Sequence, residues 1–335
     1  MNPLRFGIVG TGQMAANFAA ELRALEGAGI VAAAVASRHP AGAEAFAAKH
    51  GIERAFGSYE ALAADPDIDV AYIATPHVHH EAHTLLCLRA GKHVLCEKPL
   101  AINAAQADRM IECARANGRF LMEALWTRFL PAFRAARAQA AAGALGRISL
   151  VSGGGAFVPE RSGDPYLLNR ALGGGVLLDA GVYYVSLVGA LLGPALRVQA
   201  AGIIGSHGVD EQDYWLSEHA EGAQAGCYVS LRTRRPPELE ILGERGRLLL
   251  HAPVFGPTRL TLMQPGQRDE TREYPIEGSG YRYQALEVSR CVRSGLVESP
   301  EMPLAESRAV MATMDQIRAQ VGMCYPGESP TVRGS

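Results

Sequence analysis

Asp179 and Tyr183 stand four residues apart in the stretch DAGVYYVS, and a second tyrosine, Tyr184, follows directly. On a helix, positions i and i+4 share a face, so the acid and Tyr183 point together while Tyr184 points elsewhere. A phenol beside a carboxylate suits proton transfer; it equally suits a buried tyrosine whose hydroxyl needs a partner. Lys98, in CEKPLA, bears on the choice. A free tyrosine ionises near pH ~10, too high for a good base at neutrality, and a nearby ammonium lowers that value. Asp179, an anion, acts on the phenol in the opposite sense, so it either orients the site or pairs with Lys98. A lysine before a proline at a strand end is unusual as packing, the alternative being a plain surface lysine.

These residues need elements to hold them. From LRFGIVG to RFLMEALW, short apolar runs alternate with segments of helical spacing: MAANFAAELRALEG, AGAEAFAAKHG, SYEALAADPDI, HHEAHTLLCLRAG and NAAQADRMIECARANG are helices, while IVAAAVAS, DVAYIATP and HVLCEKP are strands. Such alternation predicts a parallel sheet covered by helices, with right-handed crossovers. After a helix at PAFRAARAQAAAGALG the rhythm changes. Strands then follow one another from RISLVSGGGAF to TREYPI, with a hairpin turning at Gly243 to Gly246. One helix, around GGVLLDAGVYYVSLVGALLG, lies within this set, and two more close the chain. The chain is therefore expected to be α/β, with a doubly wound parallel sheet over residues 1–124 and an α+β domain with a largely antiparallel sheet over residues 125–335.

Composition narrows the function classes. The 335 residues are 48% hydrophobic and 20% charged with a net charge of -2, which offers no global attraction to nucleic acid or a membrane surface. The six cysteines have no CxxC spacing and read as reduced thiols of a cytoplasmic protein. No secretory signal is visible, and no uninterrupted apolar run is read as approaching membrane-spanning length.

The first strand ends in GIVGTGQMA, a G-x-G-x-x-A pattern between a predicted strand and a predicted helix. Gly10 permits the tight turn, Gly12 lets a pyrophosphate approach the backbone, and Ala15 lets the helix pack on the strand. Gly10, Thr11, Gly12, Gln13 and Met14 thus form a candidate dinucleotide loop, against the alternative of a glycine-rich turn. The second strand ends in AVASRHP, where an NAD-binding protein usually carries an acid for the ribose hydroxyls. Ser37 and Arg38 stand there instead; Arg38 suits a 2′-phosphate, which favours NADP over NAD, the alternative being a solvent-facing arginine. Ligands of open parallel sheets lie at strand carboxyl ends, which places Thr75, Pro76, His77, Glu97, Lys98 and Pro99 well. His79 and His83 have helical metal-ligand spacing, but no nearby carboxylate or cysteine cluster completes a site, so no metal is expected. Cys96 reads as a small buried residue rather than a redox nucleophile. Trp126, Arg128 and Phe129 begin the second domain, where Trp126 offers a sugar-stacking wall. Phe157, Arg161 and Tyr166 follow as further candidates for substrate contact, with core packing or surface exposure as the alternative for each.

GIVGTGQMA, ATPHVHH, GKHVLCEKPLA and GGGVLLDAGVYY occur in the order found in the Gfo/Idh/MocA oxidoreductases, which the chain resembles over nearly its whole length. MEALWTRFLPA and the segment from GYRYQALEVSRC onward resemble the branch that holds dimeric trans-dihydrodiol dehydrogenase and NADP-dependent D-xylose 1-dehydrogenase. The resemblance implies a Rossmann domain, then an open-faced α/β domain whose sheet often forms an oligomer interface, hence a homo-oligomer, dimer or tetramer. It implies hydride transfer between NAD(P) and a carbohydrate-like alcohol or carbonyl. It maps the family lysine to Lys98, commonly followed by a cis peptide, the family aspartate to Asp179, and a family histidine to His80. Where many members carry histidine, this chain has Tyr183, similar to the dihydrodiol dehydrogenase branch, in which a tyrosine is proposed as acid–base. The usual T-P-N is T-P-H here, with His77 in the asparagine's place. A nucleotide-binding sensor or scaffold that turns nothing over is the competing class.

Overall fold

Runs of three to seven residues, mostly buried except at the edge strand, pair in parallel. In the computed structural model, which describes residues 2–159 and 166–328, they form β1 (Leu4–Val9), β2 (Ile30–Ala36), β3 (Arg54–Phe56), β4 (Val70–Ile73), β5 (His93–Glu97) and β6 (Leu121–Ala124). Their order is β3-β2-β1-β4-β5-β6, all parallel, with the chain reversing direction of travel across the sheet between β1 and β4. Helices α1 (Gln13–Ala24), α2 (Pro40–His50), α3 (Tyr59–Ala64), α4 (His80–Arg89) and α5 (Ala104–Ala116) alternate with these strands. The three-residue β3 was not read from the sequence, because RAF is too short to show a period and only its middle residue is exposed.

The second sheet is eight-stranded. After α6 (Pro131–Ala141) come β7 (Ile148–Ala156), the helix α7 (Val182–Leu192), β8 (Arg197–Ile204), β9 (Asp210–Glu218), β10 (Gln224–Ser230), β11 (Arg235–Gly243), β12 (Gly246–Leu250), β13 (Arg259–Met263) and β14 (Glu270–Glu273). The order is β14-β13-β12-β11-β7-β10-β9-β8, antiparallel except where β10 runs parallel to β7. The predicted hairpin is β11–β12, with Gly243 opposite Gly246. Helices α8 (Arg282–Arg293) and α9 (Leu304–Val321) end the chain.

The chain divides into two compact units. One comprises residues 1–101, 105–126 and 277–304; the other comprises 102–104, 127–276 and 305–335. The segment with α8 thus belongs with the first sheet although it follows the second in sequence.

Two expectations need correction. Residues Arg170–Leu192 are long and apolar enough to cross a membrane by length and composition, with a mean hydropathy of 1.7. The stretch is 72% buried within the protein, as a central helix of a sheet-covered core is. Second, that segment is not one α-helix. Residues Leu177–Gly181 form a wider π-type turn that leads into α7, so the 3.6-residue period behind the pairing of Asp179 with Tyr183 does not run through it.

The run Gly153, Gly154, Gly155 in β7 shows how the core admits α7. Along a strand, alternate residues face opposite sides. A Cβ at Gly153 would lie 3.2 Å from the Tyr184 ring and one at Gly155 would lie 2.9 Å from its hydroxyl. On the other side, a Cβ at Gly154 would overlap Tyr228, its register partner on β10.

Candidate active site

In the first unit, the turn after β1 is built as its glycines require. Gly10 has φ 113°, and a Cβ there would be 2.7 Å from the Ala74 carbonyl oxygen. Gly12 is exposed, immediately precedes α1, and a Cβ on it would meet nothing within 4 Å. The backbone there is bare on its outer side, beside the amides of a helix start, as a pyrophosphate needs. Thr11 and Met14 are half-buried, and Gln13 spans to Asn17 at 2.8 Å. At the end of β2, Ser37 is buried and its Oγ accepts from the His39 amide at 3.4 Å, whereas Arg38 is exposed and its charge acts to lower the pKa of Tyr59, which burial raises. No carboxylate stands at Ser37 or Arg38. These residues fit a dinucleotide.

The end of β4 and the end of β5 are locked together. His80 is fully buried; its Nδ1 lies 2.8 Å from the Pro99 carbonyl and its Nε2 lies 2.8 Å from the Thr75 carbonyl. Burial pushes the imidazole down to about 4, against the pull of the two carbonyls, so the ring is neutral and donates to only one of them. Thr75 Oγ1 meets His83 Nδ1 at 3.0 Å, and His77 is buried with its ring 5.5 Å from that of His80. Pro76 is half-buried beside it. Among the described residues, no group of three His, Cys, Asp or Glu is arranged to hold a metal.

Glu97 serves the backbone. Its carboxylate accepts from the Tyr72 hydroxyl at 2.5 Å and from the Lys98 amide at 3.2 Å, and burial raises its pKa against these two donors. The Lys98–Pro99 peptide is cis, and the Leu100 amide donates to Glu123 at 3.0 Å. Lys98, half-buried, is therefore held by buried polar groups on both sides along the chain. Cys96 is fully buried and burial pushes its thiol well up, consistent with a packing residue. Trp126 stacks at 4.7 Å on Tyr281, whose hydroxyl reaches the Met14 sulfur at 3.9 Å. Tyr281 was missed from sequence, since only the fold returns residues 277–304 to the first unit; the aromatic pair in GYRYQ was the available signal.

In the second unit, Asp179 is half-buried within the wide turn and Tyr183 lies in the first turn of α7. The Tyr183 ring packs at 4.8 Å against Phe255, whose carbonyl accepts from the Thr127 hydroxyl. Phe255 carried no sequence signal: it sits in an irregular stretch between strands. Tyr184 is fully buried, its hydroxyl has no hydrogen-bond partner among the described residues, and burial raises its pKa. Arg128 turns to other groups of the second unit. Its buried guanidinium reaches Ser186 Oγ at 3.3 Å and Glu306 at 2.6 Å, lining a cavity of about 220 Å³ with Trp215 and His219 that neither Asp179 nor Tyr183 lines. Phe129 is buried in the core. Phe157 is half-buried just past β7, its amide donating to the Ser230 carbonyl at 2.9 Å. Tyr166 is half-buried and its carbonyl closes a turn on Asn169 at 3.0 Å. Arg161 lies outside the described residues.

A parallel sheet with a glycine turn made for a dinucleotide, followed by a mostly antiparallel sheet domain, defines an oxidoreductase architecture. Residues 4–125 match the Gfo/Idh/MocA oxidoreductase family with its NAD-binding Rossmann fold, and residues 133–249 match the Gfo/Idh/MocA C-terminal domain. The chain belongs to this family and is an NAD(P)-dependent dehydrogenase of it. It is similar to the trans-1,2-dihydrobenzene-1,2-diol dehydrogenase of Sus scrofa, 36% identical over 96% of this chain and 98% of the relative. The Danio rerio enzyme of that name is 38% identical over 97% and 99%. Among solved structures, a 3-ketoreductase from Actinomadura kijaniata in complex with NADP and TDP-benzene superposes with a TM-score of 0.84 at 28% identity, over 96% of this chain and 98% of that one. Levoglucosan dehydrogenase in complex with NADH shares the fold, with a TM-score of 0.87 at 22% identity over 95% and 97%.

Proposed function

We propose that the protein transfers a hydride between NADP and a sugar, dihydrodiol or related alcohol or carbonyl, with Tyr183 as general acid/base and Lys98 as its electrostatic partner. Nicotinamide supplies the hydride acceptor or donor. The loop Gly10 to Met14 would hold the pyrophosphate. Ser37 and Arg38 would hold a 2′-phosphate, while Thr75, Pro76, His77 and His80 shape the strand end behind it. In the oxidative direction the substrate hydroxyl loses its proton to Tyr183, and the ammonium of Lys98 makes the phenolate accessible near neutrality. Asp179 orients the acid–base pair. Trp126, with its apolar face, contacts the substrate ring, and Phe157 and Tyr166 remain candidates for the same role.

The observation that carries this reading is the contrast between the adjacent tyrosines: the Tyr184 hydroxyl is sealed into the sheet with no partner among the described residues, while Tyr183 stands in the first turn of α7, directly after the wide turn that bears Asp179. The full-length likeness to dihydrodiol dehydrogenases supports the substrate class. The exposed apolar residues Leu150, Ile203 and Tyr214 of the second sheet support a homo-oligomer formed through it. The test is NADPH fluorescence titration followed by nicotinamide absorbance with a panel of aldoses, diols and dicarbonyls. Tyr183→Phe should keep cofactor affinity and lose about 10²–10⁴ in kcat. Near-normal kcat in that variant would sink the assignment, and cofactor binding without turnover across the panel would favour a sensor.

A further inference from the structure

Strand alternation places residues 210 and 213 on opposite faces of a sheet. The register of β8 against β9 changes that. Ile203 pairs with Gln212 and Ile204 pairs with Asp210, leaving Glu211 as an extra residue in a β-bulge. The bulge turns Asp210 inward to the side of Asp213, and both are 1% exposed. Two carboxyl groups buried together in this way cost stability unless something uses them.

We propose that Asp210 is a positioning residue for Asp179: one carboxyl oxygen holds the amide that opens the turn carrying Asp179, and the other shares a hydrogen with Asp213. This rests on the reading that Asp179 belongs to the reacting site.

The contacts form a short chain. Asp210 Oδ2 accepts from the Leu177 amide at 2.7 Å, and Leu177 is the first residue of the wide turn. Asp210 Oδ1 lies over Gly175, where φ is 123° and a Cβ would overlap that oxygen. The Gly175 carbonyl in turn accepts from the Asp179 amide at 3.4 Å. On the neighbouring residue, the Tyr325 hydroxyl donates to the Gly174 carbonyl at 2.8 Å. Thus the glycine run 173–175 lets a carboxyl group press on the backbone one turn before Asp179. Asp210 Oδ1 and both oxygens of Asp213 are buried without a hydrogen-bond partner among the described residues, and a hydrogen shared by the two carboxyl groups would satisfy them. Burial raises both pKa values in the same sense. Arg318 acts on Asp210 as a cation and is itself tied to Asp315 at 2.8 Å and Glu328 at 2.7 Å; Tyr325 is a further titratable neighbour. A π-type turn held this way has one extra residue per turn, and such turns recur where a side chain must be aimed.

The test compares Asp210→Ala with Asp210→Asn, read by kcat, NADPH affinity and amide hydrogen exchange. An asparagine can accept from Leu177 and donate to Asp213, so it keeps both contacts without the shared hydrogen. Asp210→Ala should lose about 30- to 100-fold in kcat, with NADPH affinity within about twofold, while Asp210→Asn restores kcat to within about threefold. Exchange across residues 176–182 should quicken in the alanine variant alone, with α9 still protected. If Asp210→Ala fails to fold, Asp210→Ser takes its place, its hydroxyl being too short to reach both groups. A loss of thermal stability with kcat intact, or equal losses in the alanine and asparagine variants, overturns the proposal. Should the wild type turn over no substrate, the functional reading fails by itself and exchange decides this one: quickening confined to 176–182 upholds it, and unchanged exchange overturns it.

Discussion

Tyr183 and Tyr184 are neighbours in sequence with unlike surroundings: the ring of Tyr183 packs 4.8 Å from Phe255, while Tyr184 lies on the glycines of β7, its hydroxyl unpartnered among the described residues. The contrast makes a prediction that chemistry alone would not. Removing an unsatisfied buried hydroxyl is nearly neutral or favourable, so Tyr184→Phe should hold or gain up to about 1 kcal/mol in urea unfolding. It should also turn over at the wild-type rate, in contrast to Tyr183→Phe. A Tyr184→Phe protein with a large loss of kcat would remove the distinction.

The two loop glycines should separate folding from binding. Gly10→Ala forces a left-handed residue against the Ala74 carbonyl and should cost about 1–3 kcal/mol of stability. Gly12→Ala meets open space in the free protein, so its melting temperature should match the wild type while NADPH affinity drops about tenfold or more. Calorimetry on each variant, with and without cofactor, gives both numbers. Equal melting temperatures for the two variants would count against this division.

Arg38→Ala should weaken NADPH about 10- to 100-fold, the worth of a charge-assisted hydrogen bond to a phosphate. NADH affinity should change less than about twofold, since NADH lacks that group. Fluorescence titration with both nucleotides settles it; parallel losses for the two would place Arg38 elsewhere.

Asp213 carries a sign that can be worked out. Burial, then the neighbouring Asp210, raises its folded pKa above the unfolded value of about 4. A raised group contributes stability that is complete below the unfolded pKa and is lost as pH climbs toward the folded one. Asp213→Asn removes that titration while still donating to Asp210. Its stability relative to the wild type should therefore rise between pH 6 and pH 9, by at most about 1.4 kcal/mol per pH unit. Denaturant unfolding at four pH values measures the difference, and a constant difference would refute the shared hydrogen.

Most of the first sheet was legible because its longer strands are buried runs ended by a turn residue and several of its helices are stopped by glycine, as at Gly51, Gly91 and Gly118. Gly12 and Arg38 could be read for the same reason: a backbone approach and a charge on a strand end are local properties. Arg128 is a substrate candidate by its place at the start of the second domain, and its guanidinium turns to Ser186 and Glu306, residues far off in sequence. Phe255 and Tyr281 were silent, since nothing in an irregular segment says what it packs on. The wide turn at 177–181 was hidden by a hydrophobic run that looks the same in an α-helix.

Residue type and spacing thus carried the alternation of strands and helices, a glycine turn fit for a dinucleotide, and a list of groups able to move a proton. These depend on period, on a missing Cβ and on side-chain chemistry, all carried within a few positions. Folding in three dimensions settled which of two adjacent tyrosines packs on the glycines of β7, where Arg128 points, and that Asp210 turns to the side of Asp213. Each of those turns on a contact across many residues: the glycines of β7 that receive Tyr184, or a single extra residue in β9 that reverses a side chain's face.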